Sequence, residues 1–420
     1  MSRVVTVRVP GDKSISHRAL ILSVLAHGAS RIQGLLDSAD VRSTADVLRA
    51  LGADVARHEG DALVVHGHGP TRLAPATRAL DCGNSGTTAR LMAGVAAALP
   101  FESRFTGDAS LSRRPMRRVA RPLSAMGAEV ELSDGGTLPM RVRGAPLRPL
   151  DWESETASAQ VKSAILLAAV VANVPVTVRE RRRTRDHTER MLRAMGAHVE
   201  QDEAVVRFAP GYPLAPVEWR VPADPSSAAF LAAFAALSSG VEVLLPDVCV
   251  TPTRAGFFAV LQRMGAHMSI EDRREEGGEP VATVRVRGTA GLGAAAVTAA
   301  EVPSMIDELP LLACVAARAS GDTVIEGAAE LRVKESDRIA AVVAGLRAIG
   351  VDAEERPDGL RVAGGDRALR GAVSTHGDHR LAMAFGVLAA LPLSEIALDD
   401  PACVAVSYPD FWRDLARVSA

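Results

Sequence analysis

The sequence predicts an α/β protein of two similar domains, and three observations support this. The chain has 420 residues, more than one ordinary hydrophobic core accommodates, so two domains are expected. A pattern of helix end, glycine and strand returns five times along the chain. Short segments that alternate apolar and polar residues surround each copy, as is typical of half-buried strands.

The repeated pattern is clearest in VLRALGADV (47–55) and MLRAMGAHV (191–199), and it returns in PLSAMGAEV, VLQRMGAHM and GLRAIGVDA. Each copy predicts the last turns of an amphipathic helix, a glycine that ends it, and then a strand. The shared glycines are Gly52, Gly127, Gly196, Gly265 and Gly350. We therefore expect six units of roughly 70 residues, three in each domain, with the sixth unit assembled from the two chain ends. The Pro- and Ser-rich segment 221–229 is the linker predicted near mid-chain.

Composition argues against nucleic-acid binding. Hydrophobic residues make up 48% and charged residues 23% of the chain, which is ordinary for a globular protein. Aromatic residues are only 3%, so few side chains are available for stacking bases. The net charge of −2 lacks the basic excess of nucleic-acid proteins.

The cysteines and the apolar segments indicate a cytoplasmic protein. Cys82, Cys249, Cys314 and Cys403 form no CxxC pair, which suits buried thiols in a reducing compartment. The opening residues MSRVVTVRVP alternate like a strand and contain no apolar block of a signal peptide. The longest apolar stretches, such as AILLAAVVA (164–172), are too short to span a bilayer.

Polar clusters precede apolar helices in the first half of the chain. GDKSISHR places Lys13, His17 and Arg18 at a predicted helix start, where cations oppose the helix dipole unless an anion binds there. A solvated basic helix end is the alternative. GNSGTT and SAQVK offer further donors, including Asn84, Gln160 and Lys162. Segment 110–123 contains five arginines, of which only one or two need be functional, and the basic run 179–192 is ordinarily solvated. No phosphate-binding P-loop or GxGxxG motif is present.

The second half adds carboxylates to its cations. Asp307 and Glu308 open one apolar helix, for which simple capping is the alternative interpretation. LRVKESDRIA and THGDHRLAMAF contribute further acids and bases, but His376 and His379 have no third ligand nearby, so no metal site is expected. This division predicts a cleft between two domains that binds highly anionic substrates, with carboxylates available for proton transfer.

Six motifs occur in the order found in one enzyme family. They are GDKSISHR, GNSGTTAR, GDASLSRRPM, SAQVKSA, RVKESDR and GDHRLAMAF. The chain resembles the EPSP synthase (3-phosphoshikimate 1-carboxyvinyltransferase) family over essentially its whole length. SAQVK and RDHTE are similar to the second class of that family. Thr251 departs from the NPTR motif of that class, and Val406 stands where the first class carries a lysine.

The resemblance implies a fold and domain boundaries. The fold has two similar domains, each built from three βαβαββ units about a pseudo-threefold axis, with the active site in the interdomain cleft. One domain would comprise residues 1–13 plus 228–420 and carry Asp307, Lys334, Glu335 and Arg380. The other would comprise residues 14–227 and make most contacts with shikimate 3-phosphate.

The resemblance also implies the substrate-binding residues. Those expected around shikimate 3-phosphate are Lys13, Ser14, Arg18, Ser158, Ala159, Gln160, Arg185, Asp307 and Lys334. Those expected around phosphoenolpyruvate are Lys13, Asn84, Gly86, Arg114, Gln160, Arg338 and Arg380. Several fixed cations are needed because two multiply charged anions repel each other strongly when held side by side.

The implied reaction moves the enolpyruvyl group of phosphoenolpyruvate to the 5-hydroxyl of shikimate 3-phosphate by addition and elimination, on the route to chorismate and aromatic amino acids. Asp307 is expected to accept the hydroxyl proton, Glu335 to exchange the methylene proton, and Lys13 to assist. No metal, cofactor, nucleic acid or membrane is expected to take part, and a monomer is expected. The family is the glyphosate target, and Gly86 predicts sensitivity.

Two alternatives remain. A UDP-N-acetylglucosamine enolpyruvyl transferase shares the fold and chemistry, but Cys82 is poorly placed to be its reactive loop cysteine. A non-enzymatic or RNA-processing repeat protein of related fold would require a net basic face, which the charge balance does not favour.

Overall fold

The computed structural model describes residues 3–59, 61–211, 213–289 and 291–420. The chain divides into two units. The first unit consists of Met1–Pro10, Pro222–Glu275 and Pro280–Ala420, and the second of Gly11–Val221 and Glu276–Glu279. Strand β1 (Arg3–Thr6) opens the first unit, and the chain then builds the second before returning.

The second unit contains six helices and twelve strands among its described residues. The helices are α1 (Lys13–Leu25), α2 (Ala39–Ala50), α3 (Gly86–Ala97), α4 (Arg117–Met126), α5 (Ala159–Ala172) and α6 (His187–Ala194). The strands are β2 (His27–Gln33), β3 (Asp54–Glu59), β4 (Ala62–His68), β5 (Leu80–Asp81), β6 (Glu102–Thr106), β7 (Glu129–Leu132), β8 (Met140–Arg143), β9 (Leu150–Ser154), β10 (Val176–Glu180), β11 (His198–Asp202), β12 (Val205–Ala209) and β13 (Glu218–Arg220).

The remainder of the first unit follows the same alternation of helices and strands. Its helices are α7 (Pro225–Leu237), α8 (Gly256–Arg263), α9 (Leu309–Ala316), α10 (Arg338–Ala348), α11 (His379–Ala389) and α12 (Phe411–Ser419). Its strands are β14 (Val241–Cys249), β15 (His267–Glu276), β16 (Glu279–Arg287), β17 (Ala296–Val297), β18 (Asp322–Ile325), β19 (Ala353–Arg356), β20 (Gly359–Ala363), β21 (Leu369–Val373) and β22 (Ser394–Leu398).

Five of the sheets repeat one four-stranded pattern. In the order β11-β12-β10-β9, strands β9 and β10 pair in parallel across helix α5, whereas β10, β12 and β11 pair antiparallel. The same arrangement recurs in β7-β8-β6-β5 and β19-β20-β18-β17. Each of these three sheets is formed by one continuous βαβαββ segment, since the parallel pair needs a helical crossover and the hairpin does not.

Distant strands complete the other two four-stranded sheets. Strand β13 pairs in parallel with β2, and strand β1 pairs in parallel with β14, with Arg3 opposite Val241. The predicted sixth unit is therefore wrong in its assembly. The chain's start completes the fourth unit, and the last unit has only the parallel pair β21–β22 followed by α12.

The five repeated glycines have the predicted place and conformation. Each follows the second helix of a unit and precedes a strand, and their φ angles lie between 82° and 118°. That left-handed region suits glycine, which has no Cβ to clash there. The structure confirms the predicted pattern of helix, glycine and strand.

Three apolar helices form the centre of each unit. Helices α1, α3 and α5 are buried along nearly their whole length, as are α7, α9 and α11. Helix α3 packs against both α1 and α5, and α7, α9 and α11 pack against one another. The predicted linker at 221–229 contains the boundary between the two units, which lies at Val221/Pro222. It is not an exposed segment, however, because these residues are buried and Asp224 caps α7. Within the described ranges, no helix is long and apolar enough to cross a membrane.

Candidate active site

The predicted binding residues of the second unit gather at helix N-termini. Asp12 caps α1 by accepting a hydrogen bond from the Ile15 backbone N–H at 2.8 Å, and Lys13 and Ser14 form the first turn. Ser158 and Ala159 begin α5, and Gly86 begins α3. Exposed backbone N–H groups and the positive end of the dipole make such helix starts favourable for anions.

Lys13 lies against a carboxylate that sequence analysis did not identify. Its Nζ is 3.0 Å from Oδ2 of Asp40, in the first turn of α2. The other carboxylate oxygen, Oδ1, is buried and has no hydrogen-bond partner in the structure. An acid in the first turn is the common pattern for any helix, so the sequence held no signal that distinguishes Asp40.

Arg18 is buried and held on three sides. It donates from Nε to Thr188 Oγ1 at 2.7 Å, from Nη2 to Ser163 Oγ at 2.8 Å, and from Nη1 to the Ser14 carbonyl at 2.8 Å. Burial lowers the pKa of Arg18 to about 10, with Glu189 opposing the shift, so the guanidinium stays charged at neutral pH. Arg185 donates to Ser14 Oγ at 3.5 Å, which brings both predicted arginines to one serine.

The loop before α3 is joined to two arginines and to α5. Arg114 donates to Asn84 Oδ1 at 2.6 Å. Arg90 donates to Gln160 Oε1 at 2.7 Å, and Gln160 in turn donates to Thr87 Oγ1 at 2.9 Å. Arg90 was not identified from the sequence, although it is the last residue of the GNSGTTAR motif.

Gly86 lies between those two arginines. A Cβ added to it would be 2.6 Å from Arg90 Nη1 and 3.4 Å from Arg114 Nη1. The absence of a side chain at this position therefore allows both guanidinium groups to approach the start of α3.

Lys162 forms buried ion pairs and does not lie with the side chains that could donate to a bound anion. Its Nζ lies 2.7 Å from Glu180 Oε2 and 2.7 Å from Glu189 Oε1, and all three side chains are buried. Burial alone would lower the pKa of Lys162, but the two carboxylates raise it above its usual value. The interpretation of Lys162 as one of the polar donors of SAQVK is not supported by this geometry.

The first unit brings its predicted residues together around Arg338. Its guanidinium is almost fully buried and lies 2.7 Å from Asp378, 2.6 Å from Glu335 and 3.3 Å from Asp307. Lys334 Nζ is 3.8 Å from the same Oδ1 of Asp307. Asp307 lies in the short turn Ile306–Glu308 that leads into α9.

Burial and neighbouring charges shift the pKa values in this cluster. Burial lowers the pKa of Lys334, although Asp307 acts in the opposite direction. Burial alone would raise the pKa of Asp378, but the Arg338 guanidinium brings it below its usual value. Lys334 is therefore easier to deprotonate than an ordinary lysine, while Asp378 stays ionised.

Arg380 completes the cluster at the start of α11. Its backbone N–H donates to the capping Asp378 at 3.0 Å, and its Nη1 donates to the Asp307 carbonyl at 3.3 Å. Its Nη2 is 3.8 Å from Asp307 Oδ2. Asp307 thus lies among Lys334, Arg338 and Arg380, so the cluster combines one carboxylate with three cations that suit anionic ligands.

Two groups of residues result, each within its own unit. The second unit offers cations and neutral donors, and the first offers cations with carboxylates. Among the described residues, no three His, Cys, Asp or Glu side chains have an arrangement that could hold a metal ion.

Comparisons with known proteins agree with one another. A family model described as EPSP synthase (3-phosphoshikimate 1-carboxyvinyltransferase) matches residues 4–415. The chain is 48% identical over 410 residues to the 3-phosphoshikimate 1-carboxyvinyltransferase of Xylella fastidiosa, which covers 97% of this chain and 90% of that protein. It is 49% identical over 412 residues to the enzyme of the same name from Halorhodospira halophila, with coverage of 98% and 93%.

Solved structures give the same result. The EPSP synthase from Acinetobacter baumannii matches with a TM-score of 0.87 and 38% identity, over 99% of this chain and 96% of that one. The enolpyruvyl transferase NikO from Streptomyces tendae matches with a TM-score of 0.77, over 99% and 95% of the two chains, at 19% identity. At that identity the second likeness shows the fold alone.

Proposed function

The chain belongs to the EPSP synthase (3-phosphoshikimate 1-carboxyvinyltransferase) family, and from this premise we propose how its residues carry out that family's reaction. The activity is a transfer in the shikimate pathway. Phosphoenolpyruvate gives its enolpyruvyl group to the 5-hydroxyl of shikimate 3-phosphate, and phosphate is released.

Shikimate 3-phosphate binds chiefly to the second unit in this proposal. The buried Arg18, the nearby Arg185 and the start of α5 supply its phosphate and hydroxyl groups with donors. Phosphoenolpyruvate is held by Lys13, the Asn84–Gly86 loop, Arg114 and Gln160, together with Arg338 and Arg380. Arginine suits carboxylate and phosphate because its planar fork donates two parallel hydrogen bonds.

Proton transfer falls to the carboxylates of the first unit and to Lys13. Asp307 accepts the proton of the 5-hydroxyl, and Glu335 gives a proton to the methylene carbon and later removes one. Lys13 assists at the bridging oxygen or the phosphate. The contacts of Asp307 and Glu335 with the same buried Arg338 guanidinium support this pairing, because they bring the two carboxyl groups to one place.

The observation that carries the proposal is the position of Asp307 among Lys334, Arg338 and Arg380. Asp307 faces three cationic side chains, which also suit anionic substrates.

The alternative acceptor, UDP-N-acetylglucosamine, is not favoured. Cys82 is fully buried, and burial raises the pKa of its thiol far above the usual value. A thiol in this environment lacks thiolate character and is not a reactive loop cysteine.

Phosphate release tests the proposal. The purified protein is mixed with phosphoenolpyruvate and either shikimate 3-phosphate or UDP-N-acetylglucosamine, and the product is identified by mass spectrometry. We expect release only with shikimate 3-phosphate and a product heavier by one enolpyruvyl group. No turnover, or turnover with the sugar nucleotide alone, would overturn the proposal. We further propose that the protein is a cytoplasmic monomer. Light scattering after gel filtration would check its oligomeric state.

A further inference from the structure

A chain of buried polar groups lies behind Arg380 that the proposed reaction does not use. Glu308 is 2% exposed, and its Oε1 lies 3.5 Å from Arg380 Nη1. The same oxygen accepts a hydrogen bond from the Ser226 hydroxyl. Arg254, also 2% exposed, donates to Ser226 Oγ from Nη2 at 2.9 Å.

The far end of this chain is fixed to the start of α7. Arg254 Nη2 also donates to Asp224 Oδ1 at 2.9 Å, and Asp224 caps the helix by accepting from the Ser226 backbone N–H at 2.8 Å. Helix α7 is buried from Pro225 to Ala236 and belongs to the central core of its unit. The hydroxyl of Ser226 therefore has little freedom to move.

The buried Glu308 carboxylate and the Arg380 guanidinium act as counter-charges for each other. Oε2 of Glu308 is buried and has no hydrogen-bond partner in the structure, so this carboxylate depends on Arg380 and the Ser226 hydroxyl, which both contact Oε1. A buried charge without a counter-charge is costly. Arg380 in turn is placed between Glu308 and the backbone and side chain of Asp307.

We propose that Glu308 is a positioning residue which, with Ser226 and Arg254, fixes the orientation of the Arg380 guanidinium for phosphoenolpyruvate. The inference rests on the proposed function, in which Arg380 binds that substrate. A guanidinium that is already oriented loses less conformational freedom when the anion binds. The contribution is to binding, so it should appear in KM rather than in kcat.

Ser226→Ala gives the most direct test, with Ser227→Ala as its matched control. Both serines are buried neighbours in the first turn of α7, but only Ser226 joins Arg254 to Glu308. We expect Ser226→Ala to raise the KM for phosphoenolpyruvate roughly 10-fold, the order expected for a lost hydrogen bond to a charged group. The kcat and the dissociation constant of shikimate 3-phosphate should stay near wild type, and Ser227→Ala should match wild type throughout.

Glu308→Gln separates orientation from charge. Removing a negative charge beside an anion site would by itself lower the KM for phosphoenolpyruvate. If Glu308 acts by orienting Arg380, the KM should instead rise. A fall in KM, or equal values for Ser226→Ala and Ser227→Ala, would overturn the inference.

An Arg380→Gln background distinguishes this inference from the proposed function. We expect Arg380→Gln to raise the KM for phosphoenolpyruvate, and adding Ser226→Ala to change nothing more, because its effect passes through Arg380. If Arg380→Gln leaves that KM unchanged, the proposed role of Arg380 is wrong and the inference falls with it. A third outcome is that Arg380→Gln raises the KM while Ser226→Ala raises it by the same factor in the wild-type protein and in the Arg380→Gln variant. In that case the role of Arg380 stands and only the inference about Glu308 and Ser226 is wrong.

Discussion

Asp307 has an unusual setting for a carboxylate at the start of a helix. Cationic atoms of Arg338, Lys334 and Arg380 lie 3.3, 3.8 and 3.8 Å from its oxygens. The sequence could place an acid at this helix start, but it left capping and proton transfer as equal interpretations. The choice depended on side chains 27 to 73 residues further along the chain, which no local pattern connects.

Asp307→Asn should keep both ligands bound and lose turnover. The amide has the same shape but cannot accept the hydroxyl proton, and removal of a positioned general base costs about 10²–10⁴-fold in rate. Steady-state kinetics and calorimetric binding of each substrate would measure this. Asp366→Asn, at a fully exposed carboxylate, is the control and should behave as wild type. Wild-type turnover in Asp307→Asn would reduce Asp307 to a structural residue.

Gly86→Ala should weaken glyphosate more than it weakens phosphoenolpyruvate. The added methyl lies too close to Arg90 Nη1, at 2.6 Å, so that guanidinium must shift. Adding a methyl to a packed site costs roughly 1–3 kcal/mol, about a 5- to 150-fold loss of affinity. The longer inhibitor should lose more than the substrate.

Inhibition constants for glyphosate and KM values for phosphoenolpyruvate would test this substitution. Gly135→Ala is the matched control, because a Cβ there meets nothing closer than 3.7 Å. Equal constants for wild type and Gly86→Ala would show that this loop does not line the inhibitor's site.

At the scale of elements, local patterns identified the repeated unit well. The glycine after each second helix indicates by itself where that helix ends. The apolar residues before it recur at the spacing of an amphipathic surface helix. Parallel strand pairs between distant segments were harder to predict. Strands β1 and β14 pair in the structure, but no shared sequence feature indicates that pairing. The sixth unit was consequently assembled wrongly from the sequence.

The ion triad of Lys162, Glu180 and Glu189 was also invisible in the sequence. A lysine side chain normally faces solvent, and the carboxylate partners of Lys162 lie on β10 and α6. The triad joins three elements of the second unit at the point where Arg18 is held. It is therefore part of the support of the site.

Lys162→Met should destabilise the protein by about 3–5 kcal/mol at neutral pH, because two buried carboxylates lose their counter-charge. In the variant the folded state raises the pKa of those carboxyls, so it binds more protons than the unfolded chain. Its stability should therefore rise as the pH falls from 7 toward the usual glutamate pKa of about 4.3. In the wild type the raised pKa of Lys162 contributes stability that is lost only in strongly alkaline solution.

Urea unfolding at neutral and mildly acidic pH would measure both effects. The exposed pair Arg179–Asp151 provides the control, since Arg179→Met should change stability by less than about 1 kcal/mol. A Lys162→Met protein as stable as wild type, or one without the pH dependence, would contradict the prediction.

At the scale of the whole molecule, each unit contains one of the two clusters of charged and polar residues. The sequence showed this division by its charges, because the first half is rich in cations and neutral donors and the second adds acids. It could not show which of those cations are buried. Arg18 and Arg338 lie within the protein, whereas arginines such as Arg181 and Arg182 face solvent.

Val7→Ala should loosen the first unit and leave the second unchanged. Val7 follows strand β1, is 1% exposed and donates its backbone N–H to Leu244 at 2.9 Å. Losing two buried methyl groups costs about 2 kcal/mol. Hydrogen exchange should become faster in peptides from β14 and β16 but not in those from β10 and β12. Val4→Ala, at an exposed site on the same strand, is the control. Equal acceleration in both units would contradict this prediction.

The parallel pairing of β1 with β14 also sets an order of events during translation. Residues 3–6 leave the ribosome before their partners at 241–244, which follow more than two hundred residues later. At roughly 5–20 residues per second, the first strand waits on the order of ten seconds to a minute. In that time residues 11–221 have already emerged and can complete most of the second unit. Residues 3–6 have no strand partner from β14 throughout this interval, and unpaired strands are prone to pair with the wrong partner. If the second unit folds rapidly, its strands pair with one another and are no longer available to β1 before β14 is synthesised.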